Sequence, residues 1–241
     1  REKFMPRFYR LGFAPLVLLM ILSIALPTAA GAVESNPDYA KAHKTAVKMA
    51  EGLNSYDLKG TLTMTNNARG QSGGTSMEAS MVSAARWPDR LLSVQTGNMF
   101  NLNLGTGPDH SWFYLGQLGN AFVGQPAPLH RDLAGAGDME LTEEKIFNFY
   151  GGLGQFLLEG DLQMTPTTGA ATVSVNGRDI PCQVFTTMGP EVIEADSPST
   201  EGPRVIHFDP VSGLVLKSEM TVYFMNNGAE FQQDVLFVLN E

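Results

Sequence analysis

From Asn36 to Tyr56 the apolar residues Ala40, Ala46, Val47, Ala50 and Leu53 recur at spacings near three to four. That spacing gathers them on one side of an amphipathic helix of about four or five turns. Asn36 can cap it and Pro37 fits its first turn. The period then changes to two. In Leu58-Lys59-Gly60-Thr61-Leu62-Thr63-Met64-Thr65 the apolar Leu58, Leu62 and Met64 share one side, and Lys59 and the threonines share the other. A half-buried antiparallel strand follows from that alternation.

More strands come after it. A Gly/Asn/Ser-rich turn over 66–76 leads to a strand at Met77–Ala85, and after Trp87-Pro88 a third runs from Leu91 to Gln95. Phe100, Leu102 and Leu104 alternate with Asn101 and Asn103, then Trp112-Phe113-Tyr114-Leu115 and Ala121-Phe122-Val123 form a hairpin around Gly116–Gly119. Residues 124–141 read as a Gly/Pro/Ala-rich loop, and Thr142-Glu143-Glu144 starts a short helix carrying Ile146, Phe147, Phe149 and Tyr150. Strands resume at Thr172–Val175, Cys182–Thr187, Val205–Phe208, Leu214–Val222 and Gln233–Leu239; the acidic Glu191–Pro203 stretch reads as a mobile surface loop. One long helix, about ten short strands and a helical insertion predict an α+β fold. Its expected form is a strongly curved antiparallel sheet with helices on its concave side, in a single domain over 33–241 without internal repeats.

The first 32 residues are of another kind. Arg1, Lys3, Arg7 and Arg10 precede an apolar run from Leu11 to Leu26, which ends in Pro27 and Thr28-Ala29-Ala30-Gly31-Ala32. This is the pattern of a secretory signal peptide, with cleavage expected after Ala32. The alternative is an uncleaved anchor, but a run of about 16 residues interrupted by Pro15 is short for a bilayer span. The only cysteine is Cys182, so no acylated Cys starts the mature chain. A soluble periplasmic monomer, not a lipoprotein, is the expectation.

Removing residues 1–32 takes away four of 16 basic and one of 25 acidic residues, leaving 12 against 24. That balance argues against a nucleic-acid partner, and any membrane contact has to be apolar, local or made through another protein rather than through a basic surface. Cys182 cannot form an internal disulfide, so stability must come from the core.

Catalytic patterns are absent. His43, His110, His130 and His207 show no metal-ligand spacing, and Gly151-Gly152-Leu153-Gly154 lacks the Lys-Ser or Lys-Thr of a phosphate loop. Gly151, Gly152 and Gly154 suit a helix stop or a hinge for lid motion. His110 beside Asp109 is the nearest thing to an acid/base pair and reads as a solvated turn; Cys182 reads as a small core residue. Neither a metal nor a cofactor is called for, and the expectation is a protein without enzymatic activity.

The order of elements resembles the LolA/LolB-like carriers of lipoproteins. The likeness runs through signal peptide, helix and strand to Arg86-Trp87-Pro88-Asp89-Arg90-Leu91, Trp112-Phe113-Tyr114 and Phe208-Asp209-Pro210-Val211-Ser212-Gly213-Leu214-Val215-Leu216-Lys217. Those carriers commonly have a basic residue directly before the strand's proline, where this chain has Trp87, with Arg86 shifted by one. The resemblance implies a half-barrel whose concave apolar side, partly lidded by helices, holds acyl chains or another lipid. Leu58, Leu62, Met64, Phe100, Leu102, Leu104 and Trp112 are then the pocket candidates, with adaptable methionines at Met64, Met77, Met81 and Met99. The plainer reading makes the same residues a filled core. The chain is then a protein-interaction or envelope-sensing module, docking an envelope protein through an edge strand or through Glu191, Glu194, Asp196 and Glu201.

Overall fold

The computed structural model describes residues 36–68, 73–87, 89–97, 101–116, 119–126, 156–158, 164–167, 170–188, 199–226 and 229–241. Helix α1 (Pro37–Gly52) opens them. The Asn36 side chain accepts the Asp38 amide at 2.9 Å, and Pro37 stands where a missing N–H costs nothing. Its buried stripe is Tyr39, Ala42, Ala46 and Ala50. Three alanines in four make that stripe thin enough for close approach by the sheet and its turns.

Twelve strands follow: β1 (Ser55–Ala68), β2 (Thr75–Arg86), β3 (Arg90–Gly97), β4 (Asn101–Thr106), β5 (Ser111–Leu115), β6 (Asn120–Gly124), β7 (Thr165–Pro166), β8 (Ala171–Val175), β9 (Arg178–Thr187), β10 (Ser199–Phe208), β11 (Val215–Asn226) and β12 (Ala229–Leu239). Their spatial order is β6-β5-β4-β3-β2-β1-β12-β11-β10-β9-β7, with β8 on β9. Every pairing is antiparallel. Two meanders, β1 to β6 and β9 to β12, meet where the first strand pairs with the last. The sheet does not close on itself, and the whole is the expected α+β half-barrel.

Cross-strand partners share a face, so the registers sort the side chains. One face carries Leu58, Leu62 and Met64 of β1, Met77, Ala79 and Met81 of β2, Val235 and Phe237 of β12, and Ile206 and Phe208 of β10. All ten are buried. Helix α1 lies against this inner face, with the Tyr39 ring meeting the edge of Phe185 at 5.1 Å between centroids. Phe156 packs in the same way on Phe237 at 5.6 Å.

The β10–β11 turn fastens the helix to the sheet. Asp209 is buried, and its carboxylate accepts the amides of Val211 at 2.8 Å and Ser212 at 3.1 Å. Gly213 then takes φ +75°, and a Cβ there would lie 3.1 Å from the Cα of Ala46. Glycine is required twice over, by the left-handed backbone and by the nearness of the helix.

Two segments depart from the sequence expectation. Residues 199–203 are not a mobile loop, because β10 begins at Ser199 and pairs with β11. Thr200 is buried, and Gly202 leaves its side-chain space to the ring of Tyr223, which a Cβ would meet at 2.7 Å. The register shift between Glu201 and Arg204 accommodates that glycine and Pro203 within the strand. Residues 178–181, assigned to no strand from the sequence, belong to β9. They pair with β8 through a two-residue turn in which Asn176 and Gly177 both have positive φ. The expected helix at 142–150 and the loop at 124–141 beyond residue 126 lie outside the described residues.

Replacing Gly213 by Ala is expected to lower the unfolding free energy by about 2 kcal/mol, from backbone strain and displacement of α1 together. A urea titration read by circular dichroism measures it as a fall in midpoint at unchanged slope.

Candidate functional site at the inner face

Five of the seven pocket candidates come together. Leu58, Leu62 and Met64 on β1 and Leu102 and Leu104 on β4 all point to the inner face, linked through β2 and β3 by the register rows Leu58–Ser83–Ser93–Leu104 and Gly60–Met81–Gln95–Leu102. Leu102 is 2 % exposed and Leu104 0 %. Phe100 lies outside the described residues, as do Gly151, Gly152 and Gly154.

Trp112 does not join them. It pairs with Gly105, whereas Phe113 pairs with Leu104 and Leu115 with Leu102. Phe113 and Leu115 therefore occupy the inner face, and Trp112 stands on the other side of the sheet. There its indole N–H donates to Asn103 Oδ1 at 2.8 Å. Its ring fills the space that Gly105 leaves, since a Cβ at Gly105 would come within 2.2 Å of Trp112 Cζ2. The segment Trp112-Phe113-Tyr114-Leu115 has no polar alternate, so only pairing fixes which pair faces inward.

The inner face has two chemical halves. Around β1, β11 and β12 it is hydrocarbon and thioether, for example the row Met77–Met64–Val235–Met220, apart from the amide pair Asn66–Gln233. Towards β3, β4 and β5 it carries buried polar groups: Ser83, Ser93, Gln95, Thr106 and Ser111. Ser111 Oγ donates to the Gln125 carbonyl at 2.7 Å. The Tyr56 hydroxyl and Ser83 Oγ share a hydrogen bond of 3.2 Å, and Trp87 packs on the Tyr56 ring at 5.6 Å. Burial pushes the Tyr56 phenol up to about 12, against the opposing effect of the bond to Ser83. The polar half was missed in the sequence, although Ser83, Ser93 and Gln95 sit at the inward positions of their strands' alternation.

The other chemical candidates stay apart. His110 is exposed in the β4–β5 turn, its ring 5.8 Å from that of Trp112. Cys182 is half-buried on β9 with its thiol pushed up by burial, and Sγ donates to the Ile180 carbonyl at 3.3 Å. His207 faces Lys217 across β10 and β11, and burial foremost, then the lysine charge, lowers its pKa. Among the described residues no group of three or more His, Cys, Asp and Glu side chains is placed to hold a metal ion.

The architecture is the half-barrel that the LolA-type resemblance implies. No protein-family model and no curated protein matches the chain. Solved structures do. A putative outer membrane lipoprotein-sorting protein domain from Vibrio parahaemolyticus is 11% identical over 84% of this chain and 90% of its own, with a TM-score of 0.31. The MucA/MucB complex of Pseudomonas aeruginosa gives 11% identity, 84% and 56% coverage and a TM-score of 0.37. A LolA superfamily protein from Nitrosomonas europaea gives 11% identity, 83% and 93% coverage and a TM-score of 0.22. Likenesses this distant carry nothing about ligand or partner; the half-barrel rests on strand order and on the sorting of the two faces.

The Tyr56 environment has a measurable consequence. Between pH 10 and 12 the unfolded phenol loses its proton while the folded one keeps it, so the stability held below pH 10 falls as pH rises through that window, by on the order of 2 kcal/mol. Phenolate absorbance of the folded protein should include a step near 12, and Tyr56→Phe should remove that step.

Proposed function

We propose that the protein binds a lipid or lipidated ligand through the inner face of the half-barrel, outside the cytoplasm, as a monomer and without chemistry of its own. The observation that carries this reading is the convergence of Leu58, Leu62, Met64, Leu102 and Leu104 on one face of an open sheet. Hydrocarbon and methionine rows beside a polar end suit a ligand with a flexible apolar tail, since thioether side chains repack around irregular shapes at little cost. Gly151, Gly152, Gly154 and the 124–141 segment are the proposed moving parts of the cover.

A second reading has an observation of its own. The same inner side chains are almost wholly out of contact with solvent, as in a filled core. On that reading the domain docks a protein of the cell envelope.

Native mass spectrometry of the protein recovered from its own cells, with solvent extraction of anything bound, separates the two. An adduct of lipid mass near one-to-one stoichiometry is expected. An apo mass, with no binding of an acyl fluorophore, would shift the assignment to the docking module. Leu102→Glu adds a second test: with an open pocket the variant stays folded and loses the fluorophore, whereas in a solid core the buried carboxylate costs several kcal/mol, about 3 or more, and the domain unfolds.

A further inference from the structure

We propose that the outer face of β3 to β6 is a docking surface for an anionic lipid membrane. The outer face of a half-covered antiparallel sheet is ordinarily polar, and here it is not. Two register rows cross these strands, Leu92–Gly105–Trp112–Val123 and Val94–Asn103–Tyr114–Ala121. Leu92 is 39% exposed, Tyr114 37% and Val123 69%. Trp112 lies over Gly105 and is bonded to Asn103, so that side chain loses little entropy on contact. The patch spans four strands, about 14 Å, with β6 at the edge of the sheet.

Charge selects the occupant. Arg86 and Arg90 face each other directly across β2 and β3 beside this patch, both exposed, and neither forms an ion pair with a described residue. Like charges in that position repel, and an anion held between the two guanidinium groups relieves the repulsion. They stand out on a chain of net charge −9. Asp57 lies on the same face and Asp89 and Asp109 in the adjoining turns, so attraction is confined to the arginine end and the rest of the contact is apolar. A surface with Trp and Tyr, two exposed aliphatic side chains and a pair of arginines at one end fits the head-group layer of a bilayer better than it fits an acidic polypeptide.

The test is co-sedimentation of the protein, in the form recovered from its own cells, with vesicles of phosphatidylcholine alone and of phosphatidylcholine mixed equally with phosphatidylglycerol. Binding is expected to favour the phosphatidylglycerol vesicles. Arg86→Gln with Arg90→Gln should lower that partition about 30-fold, and Val123→Glu about tenfold or more on both compositions. Displacement of an acyl fluorophore should be unchanged in both variants, which separates this surface from the inner face. Equal partition of the wild type into both compositions, or variants that partition like it, would overturn the proposal. So would loss of vesicle and fluorophore binding together, or binding of poly-glutamate by a protein that ignores both vesicles.

Discussion

The pairing of β1 with β12 makes one sheet out of two. Nine consecutive register pairs, from Gly60 with Leu239 to Ala68 with Phe231, join the meanders, and the seam is closed at one end by Lys59. Its amide and carbonyl bond to the backbone of Asn240 and Glu241, and its ammonium meets the Glu241 carboxylate. That exposed ion pair contributes little by itself. The inward side chains hold the seam, Leu62 and Met64 against Phe237 and Val235. A buried amide then fixes its register: Gln233 is 2 % exposed, and its Nε2 donates to Asn66 Oδ1 at 2.9 Å. A slip by one residue would turn Asp234 inward and leave both amides unsatisfied, which costs more than the hydrogen bond returns.

The helix depends on the same frame. Its stripe of alanines is too thin to bury much surface alone, so α1 is held by what reaches it: Phe185 from β9 and the Asp209–Gly213 turn from β10–β11. Both belong to the second meander, while the helix precedes the first. Helix, seam and turn therefore form one loop of dependence. The outer face is free of it, and Leu92, Trp112 and Val123 contribute to a surface the interior does not need.

The sequence disclosed whatever was local. Asn36 and Pro37 marked the start of α1, and the alternations in Leu58–Thr65 and Asn101–Leu104 identified the inward side chains of β1 and β4. Parity between strands was not legible, because the face on which a strand resumes depends on the length and shape of the preceding turn. Trp112 shows this: its neighbours are as apolar as it is, and only the pairing with Gly105 reveals its side. Charge and turn residues misled at Glu201-Gly202-Pro203, where the ring of Tyr223 lies in the space beside Gly202 and the segment pairs as a strand. At Asn176-Gly177 the residue pair is itself a hairpin signal, and both residues take the positive φ such a turn requires.

The seam also dictates an order of events. Asn240 reaches back 179 residues to bond with Thr61, so the centre of the sheet cannot form until nearly all of the described chain is present. Until then β1 has a partner in β2 alone, and its other edge stays open to any strand that arrives first. Closing so distant a pair slows folding, and an apolar strand with a waiting edge invites the wrong neighbour. Among the described strands, β12 is thus the one whose arrival covers the open edge of β1.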